Sequence, residues 1–276
     1  MTLAAAAGLL ACPSCGEALR VNQADEKDVT CGRHHFDVAR QGYLNLLGGP
    51  EPAHADTSAM VAARVRVHDQ GIFAPLADAL AAHTKGAARI VEAGAGPATY
   101  LRHCLSPDPE NSRRGIALDI SKAAARVAAR ADERVAAVVA DIWQKLPIRS
   151  GVVDAVLCAF APRNLPEFAR ILAPGGRLVV ATPTPDHLLA LRERYGLLTI
   201  PADKEDRLQR DASPFFTPIA TQRVFYPIDA DPLLATDLIA MGPNAFHHPP
   251  EITAPIADHV SVVVHAYRKL KPGENA

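Results

Sequence analysis

Aromatic residues are scarce in this sequence, at 5% of 276 positions, with a single tryptophan. Its core must therefore be built from aliphatic side chains, and an apolar fraction of 49% supplies enough of them. Neither charge is in surplus: 29 Lys and Arg face 30 Asp and Glu, a formal net charge of −1. No global field draws a polyanion, so any nucleic-acid site must rest on a local basic patch. No run approaches the roughly 18 uninterrupted apolar residues of a membrane span. The Ala-rich start, Met1 to Ala11, lacks the basic region of a secretory signal. A cytoplasmic protein without a membrane partner is expected. Cysteines number only five, an odd count that does not suit a disulfide framework.

Three of those cysteines lie together near the start. Cys12-Pro-Ser-Cys15 is a Cys-x2-Cys knuckle, and Cys31-Gly-Arg-His-His35 follows after residues 16–30. Three thiols and an imidazole match tetrahedral Zn²⁺, and four protein ligands leave no position open for chemistry, so the site reads as structural. The Cys-x3-His spacing selects His35 as the fourth ligand, with His34 as the competing one.

The chain then changes character. Gly48-Gly-Pro-Glu-Pro52 reads as a linker. Helical spacing runs from Ala59 to about His83, divided at Gly71. From Ala88 onward short apolar strands alternate with helices: strands at 89–93, 114–119, 135–140, 153–160 and 177–182, and a last one at 259–266. Ser121 caps an Ala-rich helix from Lys122. The alternation predicts a mostly parallel sheet covered on both faces. Residues 1–49, 50–85 and 86–276 are the expected metal module, linker with helical segment, and α/β domain.

The first strand of the α/β domain ends in Glu92-Ala-Gly94-Ala-Gly96-Pro97-Ala98. Two glycines let such a turn pass close to a ligand. In open α/β sheets ligands bind at the carboxyl ends of the strands. Asp119-Ile120 ends the second strand, where a carboxylate can accept ribose hydroxyls. Asp141-Ile142 ends the third, where one can accept an adenine amino group. The ordered acids Glu92, Asp119, Asp141 and Asp154, with Ala173-Pro-Gly-Gly176 ahead of the fifth strand, resemble the class I S-adenosylmethionine (SAM)-dependent methyltransferase pattern. A nicotinamide enzyme would carry a tighter glycine pattern and a second nucleotide-binding half.

Together, the cysteine cluster and this turn resemble the 23S rRNA (guanine-N1)-methyltransferases of the RlmA/TlrB type. The likeness extends through His35-Phe-Asp-Val-Ala-Arg-Gln-Gly-Tyr43, Gly71-Ile-Phe-Ala-Pro-Leu76, Phe160-Ala-Pro-Arg-Asn164, Ala181-Thr-Pro-Thr-Pro-Asp-His-Leu188 and Met241-Gly-Pro-Asn-Ala-Phe-His247. It is nearer the TlrB, guanine 748, branch. The resemblance implies a Rossmann-like class I methyltransferase domain behind a small zinc-binding, RNA-recognising domain. It implies methyl transfer from SAM to N1 of a guanine in a domain II hairpin of 23S rRNA, and a homodimer. It also implies cofactor contacts at Phe73, Gly96, Pro97 and His187. Departures are Phe73 for a common tyrosine, Glu92 for the commoner Asp, and Ala245-Phe246 where a Ser-Trp pair occurs.

Phe160, Pro162, Arg163 and Asn164 follow the fourth strand and are candidates for the methyl-acceptor pocket. Arg64, Arg66 and His68 read equally as a phosphate-binding helix face or a solvated one, and His247 and His248 as an RNA contact or a solvated loop. No residue is identified as the base that takes the guanine N1 proton. A small-molecule methyltransferase, and a zinc-stabilised RNA-binding protein without catalysis, are the alternative readings.

Overall fold

The computed structural model describes residues 3–6, 8–21, 28–246 and 251–271, and the side chains of all of these except Ala4 and Ala5. The N-terminal part opens with a 3-10 turn at Leu3–Ala6 and continues through strands β1 (Arg20–Val21), β2 (Asp28–Thr30), β3 (His35–Asp37) and β4 (Leu44–Asn45). β1, β2 and β3 form a small antiparallel sheet. Helices α1 (Ser58–Asp69) and α2 (Ala74–His83) follow. They part at Gly71, whose φ of +73° suits glycine. Thr57 caps α1 by accepting from the Met60 N–H.

The α/β part runs β5 (Arg89–Ala93), α3 (Thr99–Cys104), β6 (Arg114–Asp119), α4 (Lys122–Ala128), β7 (Val135–Val139), β8 (Val153–Ala159), α5 (Leu165–Ile171) and β9 (Leu172–Pro183). It continues through α6 (Leu189–Tyr195), α7 (Lys204–Ala212), β10 (Phe216–Ala230), α8 (Pro232–Ala240) and β11 (Ile256–Lys269). Ser121 caps α4 as expected, accepting from the Ala124 N–H.

One eight-stranded sheet carries the domain, in the order β10-β11-β9-β8-β5-β6-β7-β4. The pairs from β9 to β4 are parallel, and β11 is antiparallel to both neighbours. β7 is buried along its whole length, and β5, β6 and β8 along most of theirs, because aliphatic cores cover both faces. On one face Val67, Leu76, Leu80, Leu101, Leu191 and Leu238 pack from the helices. On the other, Phe168 and Leu208 pack alongside Leu10, Cys12, Leu19 and Val29 from the N-terminal part. The N-terminal 49 residues are thus not a detached bead. β4 extends the main sheet beside β7, and Leu44 and Leu46 are buried.

β5 pairs with β6 on one side and β8 on the other. The strand order reverses there, which opens a crevice at the carboxyl ends of β5 and β8.

Candidate functional site

A cavity of about 450 Å³ occupies that crevice. Phe73, Glu92, Gly94, Gly96, Pro97, Asp119, Ile120, Asp141, Ile142 and His187 all line it, as do Phe160 and Pro162. The β5–α3 turn is its floor. Gly94 and Ala95 donate their N–H groups to the Leu118 carbonyl at 2.9 and 3.0 Å, fixing the turn to β6. Gly94 has φ +70°, and a Cβ there would lie 2.4 Å from the Ala161 Cβ. Gly96 has φ +53°, with Arg64 Nη1 2.9 Å from where its Cβ would stand.

The acids at the strand ends are braced by backbone donors. Asp119 accepts from the Gly96 N–H at 2.7 Å and from the Ser121 N–H at 2.9 Å, one bond to each oxygen. A carboxylate oxygen can accept twice, so each retains acceptor capacity for a ligand hydroxyl. Burial raises the Asp119 pKa in spite of those two bonds. Asp141 accepts from the Trp143 N–H at 2.9 Å. Glu92 is 1% exposed and holds the start of α3 by accepting from the Leu101 N–H at 3.0 Å. Burial pushes its carboxyl well above the ordinary range. Asp154 stands elsewhere: it is near the amino end of β8 and pairs with Arg89 at 2.8 Å.

His187 and Phe160 face each other across the opening with their rings stacked, centroids 5.7 Å apart. Phe160 has φ +55°, a left-handed conformation costing a bulky residue about 1–3 kcal/mol, and its side chain is 42% exposed. The His187 Nδ1 accepts from the Ser261 N–H at 3.2 Å, which puts the ring proton of the neutral form on Nε2. Burial, with Arg192 and Lys204 nearby, lowers its pKa to about 4. His187 is therefore a neutral hydrogen-bond donor at neutral pH, and no lone pair is free to take a proton.

Several expectations are corrected. Arg163 and Asn164 do not line the cavity. Asn164 caps α5 and donates to the Ile142 carbonyl at 2.9 Å, so it braces the β7 loop. Arg163 donates to the Thr182 hydroxyl at 3.4 Å. Arg64, Arg66 and His68 do not form one phosphate-binding face: each has its own protein partner, and only Arg66 is exposed. Arg64 pairs with Asp56 at 2.6 Å and donates to the Met241 carbonyl at 2.5 Å, which closes the cavity over Gly96. Arg66 pairs with Asp237 on α8 at 2.5 Å. The His68 ring packs on Phe73 and Tyr100. Burial, then Arg64 and Arg102, lowers its pKa to about 4. His247 and His248 lie outside the described residues.

Tyr100, Asp56 and Trp143 also line the cavity and were not anticipated. Trp143, the sole tryptophan, is 64% exposed at the mouth. Its place beside Asp141-Ile142, together with its rarity in this chain, was the available signal.

The two buried histidines predict an acid sensitivity. Unfolded histidine protonates near 6.5, whereas His68 and His187 resist protonation until about 4. Between those values the unfolded chain binds more protons, so stability falls as pH drops through the window. Each histidine contributes up to about 1.4 kcal/mol per pH unit there. Urea midpoints measured from pH 7 to 4.5 should fall, and His68→Asn with His187→Asn should flatten the slope. An unchanged slope would show that burial of these rings does not control it.

The metal site lies in the N-terminal part. Cys12, Cys15, Cys31 and His34 bring their ligand atoms within 4.8 Å of one another. The Cys15 and Cys31 sulfurs are 3.6 Å apart, and His34 Nδ1 stands 3.4 Å from the Cys12 sulfur and 3.5 Å from that of Cys31. Zn–S bonds of about 2.3 Å and Zn–N bonds of about 2.0 Å at tetrahedral angles require separations of this size. The donor set therefore fits Zn²⁺. The fourth ligand is His34 and not His35. His35 opens β3 with its side chain 65% exposed, 3.3 Å from the Asp28 carboxylate across the small sheet. The tight knuckle, in which the Cys31 N–H donates to the His34 carbonyl at 3.2 Å and the His34 N–H donates to the Cys31 sulfur at 3.3 Å, turns the earlier histidine inward. Burial opposes ionisation of Cys31, but N–H groups of Arg33 and His34 bring its thiol down to about 6.

Comparison with known proteins decides the family. The N-terminal zinc-ribbon model of RlmA matches residues 10–54, and a methyltransferase-domain model matches residues 91–180. A 23S rRNA (guanine(748)-N(1))-methyltransferase of Streptomyces fradiae is 41% identical over 249 residues, 88% of this chain and 87% of that one. The chain belongs to the 23S rRNA (guanine-N1)-methyltransferases. A second relative in this family, from Micromonospora griseorubida, is 37% identical over 90% of each chain. A third, from Bacillus subtilis, is 30% identical over 66% of this chain and 67% of its own. Both relatives are described as putative 23S rRNA (guanine-N(1)-)-methyltransferases. As in the family, the cofactors are SAM and a zinc ion held by three cysteines and a histidine.

Proposed function

We propose that this protein transfers the methyl group of SAM to N1 of a guanine in a domain II hairpin of 23S rRNA. The guanine named for the Streptomyces fradiae relative, guanine 748, is the first position to examine. The observation carrying this reading is that the likeness to that relative covers 88% of the chain, with the RlmA zinc-ribbon match at residues 10–54 taking in the thiol cluster and the methyltransferase match at 91–180 taking in the glycine turn of the crevice. A small-molecule methyltransferase would need no such module, and an inactive binding protein would have no need to retain Gly94, Gly96, Asp119 and Asp141 around one cavity. We assign the protein to the cytoplasm, where its substrate is made, and to a homodimer. No helix among the described residues is long and apolar enough to cross a membrane.

When bound, SAM supplies a methyl group already activated on a sulfonium sulfur. The chain's own task is positioning. Asp119, with its oxygens fixed by Gly96 and Ser121, receives the ribose hydroxyls. Asp141 and Ile142 meet the adenine, and Phe73, Gly96, Pro97 and His187 enclose the methionine end. Phe160 and Pro162 offer the acceptor guanine an apolar rim, where an unstacked base can be held. The His187 Nε2–H donates into the same space. It cannot serve as the base for guanine N1, because Nδ1 is already bonded to Ser261. Residues 1–49 grip the hairpin, 50–85 connect, and 86–276 catalyse.

Incubation with methyl-labelled SAM and 23S rRNA lacking the modification should place label in the RNA. Label passing to a small metabolite would support the first alternative. SAM binding without transfer to either would support the second.

A further inference from the structure

A second cavity, also of about 450 Å³, lies beneath α7 between the start of β10 and the end of β11. Its volume falls in the range of small-ligand sites, roughly 300–1,000 Å³. The strand β10 bulges between Pro218 and Ala220 at its edge. Two side chains from one face of β11 form its inner wall. His265 and Tyr267 are each 2% exposed, yet His265 Nε2 and the Tyr267 hydroxyl have no hydrogen-bond partner among the described residues. A buried polar atom left unpaired costs about 1–3 kcal/mol, so two on one wall call for a partner. Glu205 approaches His265 Nε2 only to 3.6 Å, and Thr221 meets the other ring nitrogen at 3.3 Å.

The lining defines the ligand. Phe216 and the two rings of His265 and Tyr267 supply flat apolar surface. Gln209, Ser213 and Thr221 supply neutral donors and acceptors, and the Glu205 carboxylate stands at the side, 3.6 Å from His265 Nε2. Flat rings beside neutral polar groups suit a planar heterocycle with a hydrogen-bonding edge, that is, a nucleobase. Two cations lie on the elements that border the cavities: Arg163 follows the crevice-lining Pro162 and donates to the Thr182 hydroxyl, and Lys204 opens α7, which covers the second cavity; among the described residues neither forms an ion pair. Burial and the charges of Arg163 and Arg207 hold the Lys204 ammonium below its ordinary value. Arg163 follows Pro162 at the acceptor rim, and its charge is also felt at His265 and Tyr267.

We infer that the α7 cavity takes a second unstacked nucleobase of the RNA substrate, hydrogen-bonded by His265 and Tyr267, with Arg163 and Lys204 holding the intervening phosphate. The inference rests on the RNA reading above. It supplies the local basic patch that a chain of net charge −1 requires for a polyanion. It also fits the way proteins read RNA loops, through bases that leave the stack.

The test uses the full zinc-loaded chain and a hairpin RNA whose loop nucleotides are replaced one at a time by abasic residues. One abasic position other than the methylated guanine should weaken wild-type binding roughly ten-fold. In Tyr267→Phe, and in His265→Gln, that position should no longer matter. Lys204→Ala should reduce the slope of log affinity against log salt by about one. Unaltered SAM affinity in Tyr267→Phe would confirm a folded protein. RNA binding by Tyr267→Phe that matches wild type at every abasic position would overturn the inference. Free AMP, GMP, CMP and UMP form a second arm, read by saturation-transfer NMR. Free nucleotide binding lost in Tyr267→Phe, with RNA affinity unmoved, would assign the cavity to a free nucleotide and overturn the RNA source. Failure of the wild type to bind RNA at all would defeat the RNA reading itself. The nucleotide arm then decides the cavity, and no Tyr267-dependent binding there overturns it.

Discussion

Gly94→Ala is expected to weaken SAM binding by about a hundred-fold or more. The added Cβ would fall 2.4 Å from the Ala161 Cβ and 3.6 Å from the Ile142 Cδ1, so either the β5–α3 turn or the loop after β8 must move. Both border the crevice. The φ of +70° adds a conformational penalty of about 1–2 kcal/mol for a residue with a side chain. Together these should cost about 3 kcal/mol or more, a loss of roughly two orders of magnitude in affinity if the cost falls on binding. Gly151 provides the control, with φ +68° and no atom within 4 Å of a built Cβ. Gly151→Ala should carry the conformational penalty alone and leave SAM affinity unchanged. Calorimetric titration of both variants separates the two contributions. Wild-type affinity in Gly94→Ala would show that the glycine turn does not shape the cofactor site.

The metal site predicts the second large effect, and it also decides between adjacent histidines. Zinc binding to such a ligand set is worth roughly 10–16 kcal/mol in apparent terms, and that energy is folding energy for the segment that wraps it. Cys12→Ser should lower zinc content sharply from about one ion per chain, and His34→Ala should do so as well. His35→Ala should retain the metal, since its ring faces Asp28 and not the thiols. The loss should reach beyond the knuckle. Leu10, Cys12, Leu19 and Val29 pack in one cluster with Val91, Ile116 and Val138 of the main sheet. Metal removal is therefore expected to uncover that face of β6 and β7 and to lower the midpoint of unfolding for the whole chain. Zinc analysis by atomic emission, together with thermal unfolding, checks both parts. Retention of zinc in His34→Ala with loss in His35→Ala would restore the ligand expected from spacing.

The two histidines show where sequence reasoning stops. Cys-x2-Cys spacing identifies a metal knuckle from local geometry, but the second half closes with Cys31-Gly-Arg-His34-His35, and spacing allows either imidazole. The choice depends on where β3 begins, since the first strand residue turns toward β2 and the one before it remains in the knuckle. The parallel strands were legible because burial on both faces makes them continuous aliphatic runs. β5 and β6 match the expected ranges at both ends. β10 was not foreseen. It is 15 residues long, mostly exposed, and contains Pro218 and Pro227, which an edge strand tolerates and which obscure any alternation. Glycine and acid positions around the crevice could be read because each ends a strand. Arg64, Tyr100 and Asp56 could not, because they reach the cavity by long-range packing of helices and loops against the sheet. Asn164 was misread for a related reason: a polar residue beside a pocket can serve a helix cap and a neighbouring loop instead of a ligand.

The central claim is methyl transfer to the Watson–Crick edge of one guanine, and primer extension on treated RNA tests it most directly. Unmodified 23S rRNA is incubated with the protein and SAM, and reverse transcription is then run through domain II. A methyl group on guanine N1 blocks base pairing, so the account predicts a single new stop in a domain II hairpin. The stop should depend on SAM and be much weaker with Gly94→Ala. Full-length extension with no new stop, while wild-type protein binds SAM and carries its zinc, would contradict the account.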